Sequence, residues 1–168
     1  MFSEIAMQEA LHKGLTVEQS QRLQEAKVAI VGLGGLGSNV AMWLARLSIG
    51  HLLLYDFDKV ELSNLNRQYY FLKDVGQYKA TALLRHLQAV NPYGNYQSRV
   101  VRLTEDNLAE LVSEAHIVCE ALECPGSSAN HDLRSAVSAE HVYNDSFHLL
   151  FNRKNIIINF LTALDKAI

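Results

Sequence analysis

The sequence predicts a doubly wound α/β fold, a mostly parallel sheet with helices on both faces. Three observations predict it. Val28-Ala29-Ile30-Val31 and Leu52-Leu53-Leu54-Tyr55 are apolar runs without polar alternation, as strands covered on both faces require. Gly32-Leu33-Gly34-Gly35-Leu36-Gly37 follows the first run directly, and Val40, Leu44 and Leu47 then recur at helical spacing as far as Gly50. Strand, glycine turn, helix and strand make one βαβ unit, and further strands and helices alternate after it.

The elements follow in order. The first thirty residues or so read as a helical preamble, in which Thr16 and Gln19 have the spacing of a capping box. The βαβ unit comes next and ends at Asp56. Ala80, Leu83, Leu84, Leu87 and Val90 then form a helical stripe, which Asn91-Pro92 stops. Tyr96 to Val101 is expected to be a third strand, Thr104 to cap a short helix through Leu111, and His116 to Cys119 to be a fourth strand. After Cys124 the alternation fails, so residues 1–124 read as the ordered α/β domain and 125–168 as an atypical C-terminal segment. The second half of the fold is therefore expected to be shortened or altered.

Composition narrows the class. The 168 residues carry 15 Lys+Arg against 18 Asp+Glu, a net charge of -3, which argues against a nucleic-acid footprint. No apolar run approaches the ~20 residues of a spanning helix, and the N-terminus lacks the basic region of a secretory signal. Cys119 and Cys124 are too few for a disulfide framework, and a cytoplasmic protein is expected. They are also too few for a tetrahedral thiolate zinc site. The seven histidines, from His12 to His148, show no ligand spacing. Cys119, at a strand end, reads as a small buried hydrophobe, and Cys124, in a loop, as the better reactive candidate.

Gly32, Gly34 and Gly37 have the spacing of a dinucleotide fingerprint. It allows a tight turn, close approach of backbone to phosphate, and close packing of helix on strand, with the helix N–H groups free for an anion. Asp56, nineteen residues after Gly37, ends the second strand, where a carboxylate can accept hydrogen bonds from ribose hydroxyls. The block from Asp56 to Gln68, with Gly76 and Lys79 beyond it, then departs from a plain dehydrogenase. Asn64, Arg67 and Lys79 offer an amide and two cations near the glycine turn, suited to a triphosphate whose pyrophosphate leaves. Taken alone, Arg67 and Lys79 would read as solvated surface cations.

Together, VGLGGLGSNVA, DFDKVELSNLNRQYYF and GQYKATALLRHLQAVNP resemble the ThiF/MoeB/HesA family, bacterial relatives of the ubiquitin-activating enzymes. LNRQYYF and RLTEDNLAEL are similar to its compact sulfur-carrier adenylyltransferases in particular. The resemblance runs from Leu23 to Glu123. It implies a Rossmann-like domain that uses ATP to adenylate the C-terminal glycine carboxylate of a ubiquitin-like sulfur-carrier protein (ThiS-like) in thiamine biosynthesis, releasing pyrophosphate. It further implies a homodimer. Gly32, Gly34, Gly35, Gly37, Asp56, Asp58, Asn64, Arg67, Gln68 and Lys79 would hold the nucleotide. Arg67 and Lys79 would act in catalysis, and Mg²⁺ would bind Glu123, where the family usually has Asp. The stretch after Cys124 does not resemble the family's second half. An NAD-binding oxidoreductase, an enzyme activating a tRNA base, and a family member that only binds nucleotide are the alternatives.

Overall fold

The structure, a computed structural model, describes residues 2–122. Glu123, Cys124 and the whole of the expected C-terminal segment lie outside the described residues. The elements are α1 (Glu4–Leu11), α2 (Val17–Glu25), β1 (Lys27–Val31), α3 (Gly35–Arg46), β2 (His51–Tyr55), α4 (Lys79–Val90), β3 (Asn95–Arg99), α5 (Glu105–Val112) and β4 (Ile117–Glu120). Two short 3-10 turns, Leu62–Asn66 and Leu72–Asp74, lie in the crossover between β2 and α4.

The preamble is two helices, because Gly14 at φ +91° turns the chain between them. Thr16 and Gln19 form the expected capping box on α2, with the Gln19 N–H donating to Thr16 Oγ1 at 3.1 Å. The four strands are all parallel, in the order β3-β2-β1-β4. This is the mostly parallel, doubly wound sheet expected from the apolar runs. The third strand ends at Arg99, before Val100 and Val101, and the fourth is shifted one residue toward its C-terminal side. Val101 packs, half-buried, beneath the sheet, so its apolar character reports burial and not strand.

Helices lie on both faces. Val28, Ile30, Leu52, Leu54, Tyr96 and Ile117 share one cluster with Val40, Ala41 and Leu44 of α3 and Leu83 and Leu87 of α4. Ala29, Val31, Tyr55 and Val118 point the other way, against Leu108 and Val112 of α5. The alternation of residues between two cores follows from the period of two along a strand. Full burial of side chains such as Ile30, Leu52 and Leu54 stabilises by roughly 1.5–3 kcal/mol each.

The strand order reverses direction between β1 and β4, so the C-terminal ends of these strands open the crevice where ligands bind such sheets. The glycine turn after β1 sits at that point. Among the described residues, no helix is long and apolar enough to cross a membrane.

Candidate functional site

The glycine turn is built by exclusion of side chains. Gly32 has φ +89°, a conformation that favours glycine. A Cβ on Gly37 would lie 1.9 Å from the Gly32 carbonyl oxygen. Only glycine lets the first turn of α3 cross the end of β1 this closely. Gly34 is the N-cap of α3, with no side-chain cap, and no acidic residue occupies the first turn. The helix N–H groups and the positive end of its dipole therefore face the crevice uncompensated by side chains. Of the four predicted glycines, Gly34 and Gly35 frame this opening, and Gly32 and Gly37 make its shape.

Asp56 ties the turn to β2. Its Oδ2 accepts the Leu33 N–H at 2.7 Å, and its Oδ1 accepts the Asp58 N–H at 2.7 Å. The residue is 7% exposed. Burial pushes its carboxyl above the ordinary carboxylate range, against the two backbone donors and the Lys79 charge, which pull it down. The carboxylate predicted to meet a ribose thus first fixes the backbone of the glycine turn.

Lys79 arrives by a different route. The chain returns antiparallel to its own start: the Gly76 N–H donates to the Val60 carbonyl and the Val60 N–H to the Gln77 carbonyl, each at 2.8 Å. The Lys79 N–H then donates to the Asp58 carbonyl at 2.9 Å, and its Nζ stands 3.0 Å from Asp58 Oδ2. Gly76, at φ +87°, makes the turn that permits this return. Lys79 is 7% exposed, so it is a positioned cation and not a solvated one. Asp58, half-exposed, is its ion-pair partner.

The segment between these anchors carries Asn64, Arg67 and Gln68. Asn64 is buried, and its Oδ1 accepts the Glu61 N–H at 3.0 Å, which shapes the first 3-10 turn. Gln68 is buried with Oε1 unpartnered, an acceptor awaiting a donor. Arg67 is exposed, with its guanidinium on Asn66 Oδ1 at 3.2 Å. Of the two predicted cations, Lys79 is held by an ion pair and Arg67 stands at the rim.

Several residues that the sequence reading passed over dock this segment on the glycine turn. Asn39 Nδ2 donates to the Gly35 carbonyl at 2.7 Å and to the Arg67 carbonyl at 3.0 Å. The Tyr69 N–H donates to Ser38 Oγ at 2.9 Å, and Tyr70 Oη donates to the Leu33 carbonyl at 2.8 Å. Burial and the charges of Asp56, Asp74 and Asp58 push the Tyr70 hydroxyl well up, so it remains a proton donor. Two polar residues directly after the third glycine were the available signal.

Among the described residues, no group of three His, Cys, Asp or Glu side chains is placed to hold a metal ion. The acids nearest the turn are engaged, Asp56 with backbone N–H groups and Asp58 with Lys79. Glu123, the expected Mg²⁺ contact, lies outside the described residues. Glu120 ends β4, in register with Val31. The described residues do not by themselves fit a metal cage. Cys119 is buried, and burial pushes its thiol up to about 11, as expected of a small core residue.

Comparison with known proteins agrees with this geometry. Residues 7–139 match the model of the ThiF family, beyond both ends of the resemblance read from the sequence. The sulfur carrier protein adenylyltransferase of Thermus thermophilus is 39% identical over 105 residues, covering 62% of this chain and 39% of that protein. Ubiquitin-like modifier-activating enzyme 5 of Arabidopsis thaliana is 42% identical over 95 residues, covering 56% of this chain and 22% of that protein. The E. coli tRNA N6-threonylcarbamoyladenosine dehydratase TcdA, solved in complex with ATP, superposes with a TM-score of 0.72 at 27% identity, over 79% of this chain and 56% of that one. This chain spans from about a fifth to somewhat over half the length of these proteins. A glycine turn held by a buried aspartate, a lysine returned to it by a short antiparallel ladder, and a family match over most of the sequence give one conclusion: the chain belongs to the ThiF family.

Proposed function

We propose that this chain binds ATP and transfers its adenylyl group to the C-terminal carboxylate of a ubiquitin-like or sulfur-carrier protein. One observation carries the reading. Lys79 is held, buried, on the side of the crevice where the uncapped N-terminus of α3 and Asp56 meet. That arrangement suits a polyphosphate more than a neutral ligand.

In the proposed reaction a carboxylate oxygen of the carrier bonds to the α-phosphorus of ATP. The bond from that phosphorus to the bridging oxygen breaks, and pyrophosphate leaves with the electron pair. The α3 N–H groups receive phosphate oxygens. Asp56 fixes the turn and accepts from the ribose through its remaining lone pairs. Lys79 exchanges Asp58 for the phosphates and stabilises charge as it moves onto the leaving group. Arg67 closes from the rim, and Gln68 Oε1 supplies an acceptor to the nucleotide.

The finer assignment is a ThiS-like carrier of thiamine biosynthesis, supported by the likeness to a sulfur carrier protein adenylyltransferase. A second reading, activation of a tRNA base, is favoured by the likeness to TcdA. The net charge of -3 weighs against a nucleic-acid substrate. Pyrophosphate exchange into ATP tests the choice. Exchange is expected only with a carrier ending in Gly-Gly present, and ATP, not NAD, is expected to raise the melting temperature. Exchange stimulated by tRNA and not by a carrier would select the second reading. Thermal protection by NAD alone would overturn both.

A further inference from the structure

The second 3-10 turn carries a buried acid that the reaction does not use. Asp74 is 1% exposed and His86, on α4, is 7% exposed. Asp74 Oδ2 accepts the Phe71 N–H at 2.8 Å and stands 3.0 Å from His86 Nε2, off the line of a good hydrogen bond. The Arg85 guanidinium lies 3.6 Å from Asp74 Oδ1. The His86 ring is flanked by Phe71, with centroids 4.8 Å apart, and by Tyr70, at 6.5 Å.

This cluster sits between the two fixed points of the site. Tyr70 reaches the glycine turn through the Leu33 carbonyl. On the other side, the Gln77 N–H donates to the Asp74 carbonyl at 2.9 Å, and the ladder from Gly76 leads directly to Lys79. Lys79 and His86 are seven residues apart on one helix, so they share a face of α4. An acid that grips His86 therefore grips the face that carries Lys79.

Stability alone is a poor reason for the pair. A buried polar or ionic contact is often no better than well-packed apolar residues, and its best-attested use is to specify one arrangement. We propose that Asp74 and His86 form a positioning latch that holds the crossover segment on α4 and so holds Lys79 at the phosphate side of the crevice. The catalytic part of this inference rests on the adenylation reading.

Asp74→Asn keeps an acceptor for the Phe71 N–H and removes the charge facing His86. It is expected to lower kcat for pyrophosphate exchange about 10- to 100-fold, with KM for ATP changed less than about threefold. In a Lys79→Ala background the same substitution is expected to have almost no further effect on kcat, because there is no lysine left to position. His86→Ala is expected to behave like Asp74→Asn, and His86→Gln, whose amide can reach and donate to the carboxylate, to recover most of the loss. Equal losses in both backgrounds would mean a merely structural role and would overturn the proposal. So would wild-type kcat in Asp74→Asn, or, if that variant does not fold, in His86→Ala.

A second readout does not need the reaction. Arg67 and Lys73 are exposed in the crossover, where trypsin can cut only when the segment opens locally. Cleavage there is expected to be about tenfold faster in Asp74→Asn and His86→Ala than in the wild type, with Arg22 of α2 as the internal reference. If wild-type protein catalyses no exchange, the adenylation reading fails, and this cleavage ratio still decides the latch. Unchanged cleavage in both variants would remove it.

Discussion

Lys79→Ala is expected to reduce turnover in pyrophosphate exchange by ~10²–10³, the usual cost of losing one preorganised charged donor. The geometry makes this the most sensitive single side chain in the site. Lys79 is buried, its backbone is fixed by the Asp58 carbonyl, and its ammonium is aimed by the Asp58 carboxylate. Once Lys79 has exchanged Asp58 for the phosphates, no further movement is needed as charge develops on the leaving pyrophosphate. Stability should change little, because the partner left behind is half-exposed and hydrated. Lys79→Arg should not restore the rate, since a planar guanidinium does not fit the space of an ammonium held this way. Arg67→Ala is expected to cost less, about tenfold, because Arg67 starts at the rim on Asn66 and must be recruited. Steady-state exchange with purified variants gives both ratios, and wild-type turnover in Lys79→Ala would remove the lysine from the mechanism.

Gly37→Ala is expected to be strongly damaging for folding. The new methyl would stand 1.9 Å from the Gly32 carbonyl oxygen and 3.1 Å from Ala121 Cβ. The first of these is backbone, at a residue already held at positive φ, so nothing can swing away. The expected loss exceeds about 4 kcal/mol, or roughly 10 °C or more in melting temperature for a chain of this size. Gly76→Ala is the control. A Cβ there meets nothing within 4 Å, but φ is +87°, so the cost is conformational and about 1–2 kcal/mol. Chemical denaturation followed by circular dichroism measures both. A Gly37→Ala protein within about 1 kcal/mol of the wild type would mean that the turn is not packed as described.

These contrasts show what is legible in a sequence of this kind. The unbroken apolar runs that became β1 and β2, and the stripe from Ala80 to Val90, carry their own periods, so strands and helix follow from local pattern. The glycine spacing and Asp56 are also local, and the structure brings them into contact through the Leu33 N–H. Asp74 and His86 are different. In the sequence one is a turn acid and the other a helical histidine, and only the fold brings them together. Ser38, Asn39 and Tyr70 are likewise ordinary residues whose partners lie far along the chain. Arg67 shows a different limit. Its residue type suits a phosphate, but its exposure is set by the path of the segment, which no motif encodes. Among polar groups, spacing singles out residue types suited to a ligand, and it is silent on those that hold the loop in place.

Among the described residues the two sheet faces are unequally clothed, and this has a consequence for how that part of the fold opens. On one side α2, α3 and α4 contribute to a broad cluster that includes Leu23, Leu44 and Leu83. On the other, among the described residues, Leu108 and Val112 of α5, with Ala115 after it, cover Ala29, Val31, Tyr55 and Val118, joined by half-buried side chains such as Val101, Leu103 and Leu111, in a smaller cluster. Cooperative units with less buried apolar surface detach at lower free energy than the whole fold. Amide hydrogens of α5 should therefore exchange through a sub-global fluctuation, while those of β1 and β2 wait for global unfolding. The glycine turn, the antiparallel return and α4 all belong to the slower unit. The phosphate-binding half can then stay assembled while α5 breathes, and a nucleotide bound there would slow exchange in β1 and β2 far more than in α5.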